Sequence, residues 1–164
     1  MLKLIGIMIV IAASTLVGYM ESHKLSVRVE QLEAFWVFIT AAKTEIRYTA
    51  SPVDEIVRRH GNMRLFTLCT EYCQSGSNFS DAWSDAVANG TKGLGLDDKD
   101  ISLIHDFGAG FGTSDVEGQL AHCKLYAELI TARLENAKEA KNRKAKLYFM
   151  LGVFAGMAVA LLLC

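Results

Sequence analysis

At 164 residues the chain has room for about one globular domain. Its 17 basic and 18 acidic residues nearly cancel, so no general positive field for nucleic acid is expected. The charges are unevenly placed, however: two uncharged runs, Leu4–Met20 and Leu147–Cys164, bracket a charged middle, which argues against a chain wholly exposed to water.

The simplest object with two apolar ends is a hairpin of two membrane spans, residues 1–21 and 147–164, holding a helical domain of residues 22–146 between them. Each run is near the lower length limit for a span, so slight bilayer thinning is expected. Ser14 and Gly18 in the first run, and Gly152, Gly156 and Ala160 in the second, have the small-xxx-small spacing that lets helix backbones approach in lipid. The competing reading of the N-terminus is a cleaved signal peptide with Ala12-Ala13-Ser14 near its end. Against it stands the cationic cluster Lys138, Lys141, Arg143, Lys144 and Lys146, which belongs on the cytoplasmic side of the second span. The domain is therefore expected in the cytoplasm and both termini outside.

After the first run, Leu25, Val29, Leu32, Phe35, Trp36, Ile39, Ala42 and Ile46 keep a helical period and predict one apolar face. Shorter helices follow. Ser51-Pro52 reads as an N-cap with proline at the first helical position and Gly61 as the stop; Asn62 is the expected cap of the next helix, closed by Gly76. Ser80 starts another, ending near Gly90. Asp97 opens one with Asp98 and Asp100 in or beside its first turn, as the helix dipole favours, running to Gly108.

The last third, from Ser114, reads as one long helix continuous into the second apolar run. Ser114-Asp115-Val116-Glu117 predicts a capping box on Ser114. Val116, Leu120, Cys123, Ala127, Ile130, Leu134 and Ala137 form a narrow seam at alternating steps of four and three. No stretch alternates with period two over a strand's length. The expected fold is all-α, a cytoplasmic bundle of about six helices between two transmembrane helices.

Several residues invite a chemical reading. Cys69 and Cys73 share a helix face, and with Cys123, His105 or His122 they could be imagined as a zinc site or thiol sensor; lacking CxxC spacing, they read as buried core thiols. The run from Gly108 to Gly112 precedes a helix N-terminus but has no strand before it and no Gly-Lys-Ser/Thr after it. It is therefore expected to be a sharp corner between helices and not a phosphate loop. Ser114 beside Asp115 has no located base, so no nucleophile, base and oxyanion donor assemble. No catalytic residue and no cofactor is expected.

The chain resembles the stage III sporulation protein AB family of endospore-forming bacteria. The likeness lies in Met1-Leu2-Lys3-Leu4-Ile5-Gly6 with Ala12-Ala13-Ser14-Thr15, in Thr44-Glu45-Ile46 with Tyr48 and Pro52, and in Ala82-Trp83 with Ala86. Its most specific part is Phe107-Gly108 through Phe111-Gly112 to Ser114-Asp115, with Gln119 and His122, followed by Leu151-Gly152-Val153. The resemblance implies a non-enzymatic part of a channel-like sporulation assembly in the mother-cell membrane around the forespore. The domain is also similar to that of the inner-membrane platform proteins of type II secretion and pilus machines, which implies docking of the assembly's own ATPase, stage III sporulation protein AA. Those platform proteins carry two copies of the domain and this chain one, which implies a homo-oligomer. A platform subunit of a small pilus machine is the alternative. Partner contacts are expected at Phe107, Gly108, Phe111, Gly112, Ser114 and Asp115, and secondarily at an exposed acidic group of Asp97, Asp98 and Asp100.

Overall fold

The computed structural model describes the backbone of residues 2–49 and 51–163, and the side chains of residues 23–49, 51–144, 147, 150 and 151. It contains six α-helices in the order α1 Leu2–Tyr48, α2 Val53–His60, α3 Arg64–Gln74, α4 Phe79–Gly90, α5 Asp98–Gly110 and α6 Val116–Leu163. There is no strand among the described residues.

The two long helices are the frame. They run antiparallel, with Lys138 of α6 3.6 Å from Glu33 of α1 and Lys43 of α1 close enough for its charge to act on Cys123. The seam expected on α6 is buried at Cys123, Ile130 and Ala137, with Leu120, Ala127 and Leu134 packed beside them. Val116, the first member, is exposed because α1 has ended at that height. On α1 the buried face holds Val29, Leu32, Phe35, Ile39, Ala42 and Ile46 as the period requires, but it takes Phe38 and not Trp36. The short helices cover the flank of α1 that carries Phe38, which meets the Phe66 ring of α3 at 4.3 Å.

One aromatic cluster fills the space between the frame and α3, α4 and α5. Phe107 is fully buried at its centre, with ring centroids 5.5 Å from Phe35, 6.0 Å from Trp83 and 4.9 Å from Phe111. Such pairs contribute about 1 kcal/mol each beyond the area they bury. Trp83, also buried, satisfies its indole N–H by donating to the Ile104 carbonyl at 3.1 Å.

Helix starts differ from expectation in instructive ways. Pro52 is itself the N-cap of α2, and Met63, not Asn62, precedes α3. Asn78 and not Ser80 caps α4, accepting from the Asp81 amide at 2.9 Å. Helix α6 begins on Asp115: its carboxylate accepts from the Gly118 amide at 2.9 Å, while the Ser114 hydroxyl is taken by Gln119. A charged cap also meets the helix dipole, which a serine cannot do. Helix α5 does carry the acidic start, as a capping box between Asp97 and Asp100, and runs on to Gly110, two residues past the expected stop.

Among the described residues no helix is long and apolar enough to cross a membrane. Ser14, Gly18, Lys146, Gly152, Gly156 and Ala160, for which packing or topological roles are expected, lie outside the residues whose side chains are described.

Candidate functional site

Two constellations organise the domain at opposite ends of the α1–α6 pair. The first is an ionic clamp at the start of α5. Asp100 is completely buried, and its carboxylate accepts from Arg28 of α1 (Nε, 2.7 Å), from Arg133 of α6 (Nε, 2.6 Å) and from the Asp97 amide (3.1 Å). Asp97 pairs with both arginines as well, at 2.8 Å from Arg28. Burial works against ionising Asp97, but the hydrogen bond from the Asp100 amide and the charges of Arg28 and Arg133 outweigh it and hold the carboxyl below its usual range. The acidic group is thus only in part the exposed patch expected from sequence. Asp100 is interior, whereas Asp97 and Asp98 are exposed; Asp97 is occupied by both arginines and Asp98 takes no part in the clamp.

The second constellation is the corner between α5 and α6. Phe107, Gly108 and Phe111 are buried, whereas Gly112, Ser114 and Asp115 are exposed. Gly108 packs against Trp83 so closely that a Cβ would sit 2.0 Å from the indole nitrogen. Gly112 has φ +86°, a conformation that L side chains rarely adopt. Gln119, buried one turn into α6, holds the corner's shape: its carbonyl accepts from the Gly112 amide at 2.9 Å, and its amide donates to the Gly110 carbonyl at 3.2 Å and to Ser114 Oγ at 2.9 Å. His122 reaches the Phe107 carbonyl at 2.9 Å through Nε2, which must then carry the proton. The corner is a hydrogen-bonded fold element with an exposed polar rim.

Near that rim, Glu45 ties the end of α1 to α2. It receives His60 at 3.0 Å, Thr49 at 2.8 Å and Arg59 at 3.0 Å. These partners, His60 first, hold its carboxyl well below the ordinary range, at about 2.

A shallow groove of about 390 Å³ lies between α4 and α5, and Ser84, Ile101 and His105 line it. Ser84 Oγ is 3.4 Å from His105 Nε2, and His105 Nδ1 is 3.3 Å from Asp106. The order suggests a triad, yet His105 and Asp106 are about half exposed and both contacts are long. Ser84 sits inside α4, where backbone amides are spent on the helix and none is aimed at a developing oxyanion. Burial pushes the Cys69 thiol up to about 12 and Cys123 up to about 11, which disfavours the thiolate at both, and no three potential ligands converge among the described residues.

The sequence model of the stage III sporulation protein AB family matches residues 3–164. The chain belongs to that family. Stage III sporulation protein AB of Bacillus subtilis (strain 168) is 24% identical over 170 residues, spanning 99% of each chain. A solved structure of stage III sporulation protein AB superposes with a TM-score of 0.61 at 19% identity, over 71% of this chain and 98% of that one, a likeness of fold. Within the chain, Gln119 and His122, which sequence matched to the family without a role, prove to be the corner's internal fasteners. Arg28 and Arg133 carried no local signal at all; only their convergence on Asp100 reveals them.

Proposed function

We propose that the chain is a non-enzymatic, membrane-anchored platform of the sporulation assembly that docks the ATPase, stage III sporulation protein AA, on its cytoplasmic domain. The observation that carries this is the clamp: Arg28, Asp97, Asp100 and Arg133 fasten α1, α5 and α6 into one body, and α1 and α6 are the helices that lead into the two apolar runs. A load taken by the domain passes to both runs together. Leu147, Met150 and Leu151, the described side chains of the second run, are about half exposed on one helical face, as lipid-facing residues would be. The resemblance to secretion platform proteins supports an ATPase as the partner, and their two copies of the domain against one in this chain support self-association.

The docking face fits the end of the domain away from the apolar runs. There the exposed rim Gly112, Ser114 and Asp115 joins Val116 and Tyr48, which is 78% exposed and offers the amphipathic ring enriched at interfaces. The buried corner residues Phe107, Gly108 and Phe111 shape this face without touching a partner. The test is capture of the purified ATPase by the full chain in lipid nanodiscs, where saturable binding supports the platform and its absence, with both proteins folded, removes it.

A further inference from the structure

At the opposite end of the domain, the seven residues between α4 and α5, numbers 91–97, are set hard against α1. A Cβ on Gly95 would lie 2.5 Å from the Lys24 carbonyl oxygen, so the loop backbone rests directly on the helix. Lys24 is four residues past Met20, the end of the first apolar run, or about 6 Å along the axis. The antiparallel register that sets Glu33 beside Lys138 brings the same level of α6 to residues 144–147, where the second apolar run begins. The loop therefore stands where both runs leave the domain.

It is pinned at both ends. Thr91 is buried and donates to the Val87 carbonyl at 2.7 Å, and Asp97 is held by Arg28 and Arg133. Between these anchors the Leu94 amide donates to the Thr91 carbonyl at 3.3 Å, and Gly93, φ +78°, projects into open space. Lys92 is exposed, its ammonium donating to Asn89 Oδ1 at 3.1 Å, and Leu94 is half-buried, so the loop holds a solvent-facing cation near an apolar side chain. Lys24, Lys141 and Lys144 add positive charge at about the same height.

We propose that this loop is a contact for anionic phospholipid headgroups, with Lys92 meeting phosphate and Leu94 resting at the edge of the acyl region. The inference rests on the membrane reading above. A bilayer surface fits this place better than a soluble anion, because the loop forms no cradle and its one cation, held to Asn89 but exposed, lies near an apolar neighbour at the boundary of two apolar runs.

The test is amide hydrogen exchange on the full chain in nanodiscs of phosphatidylcholine alone and of phosphatidylcholine with phosphatidylglycerol. Exchange at residues 92–96 is expected to slow by about fivefold with the anionic lipid, the effect of one lysine near such a surface. Residues 75–78, at the far corner, are expected to be unchanged, and Lys92→Glu should abolish the difference. Equal exchange in both discs, or protection that survives Lys92→Glu, would overturn the loop contact while leaving the membrane reading intact. A chain that stays outside the discs overturns both.

Discussion

Arg133 of α6 and Asp100 of α5 meet at 2.6 Å, Nε to Oδ1, and the carboxylate they share with Arg28 is completely buried. A buried carboxylate is tolerable only because two guanidinium groups and a backbone amide surround it. Replacing it by a neutral isostere leaves two cations, 12% and 21% exposed, with only the half-exposed Asp97 carboxylate to balance them. Asp100→Asn is expected to cost about 3 kcal/mol, measured by urea unfolding of the full chain in nanodiscs. Asp98→Asn, in solvent on the same turn, should stay within about 0.5 kcal/mol of the parent.

The aromatic cluster depends on a ring and on the space beside it. Phe107→Ala removes the ring at its centre and should cost about 3 to 5 kcal/mol. Gly108→Ala deletes nothing, yet its methyl must displace Trp83, so a loss of about 1 to 3 kcal/mol is expected, with a change in tryptophan emission. Unchanged emission and unfolding midpoint in Gly108→Ala would contradict the close packing of Trp83 on α5.

Gln119 fastens the corner through three hydrogen bonds. Gln119→Ala should destabilise by about 1 to 3 kcal/mol, chiefly through the Gly112 amide and Gly110 carbonyl left unpaired. Amide exchange at Gly112 should accelerate more than the global loss accounts for; exchange that tracks the global loss alone would show the corner is held by something else.

Glu45 titrates at about 2 in the folded chain, below its ordinary 4.5. The sign follows: its contribution to stability is complete above pH 4.5 and is lost as the pH falls from there through about 2. Unfolding midpoints taken across this window should fall less steeply for Glu45→Gln than for the parent. Parallel profiles would remove the His60, Thr49 and Arg59 partnership from the account.

Local chemistry made the helices legible. The acidic start of α5 was readable because Asp97, Asp98 and Asp100 fall within one turn, and the α6 seam because its period is carried by consecutive turns; the capping box that Asp97 and Asp100 form was not read. Trp36 and Phe38 exchanged places because both are aromatic and only the packing of the short helices selects which flank of α1 is covered. Ser114 lost the cap to Asp115 through a competitor in the next turn, Gln119, whose claim on the hydroxyl is tertiary in origin. The clamp was invisible because its arginines lie 72 and 33 residues from Asp100, so an acidic helix start looked like solvated charge.

The platform reading is tested most directly by the affinity of stage III sporulation protein AA for the full chain in nanodiscs, compared among the parent, Tyr48→Ala and Val116→Ser. Both substitutions lie on exposed side chains at the distal end and should leave the unfolding midpoint unchanged. The account predicts saturable binding by the parent, weakened by about tenfold or more when the distal anchors are trimmed. No binding by the folded parent, or equal binding by all three, would contradict it.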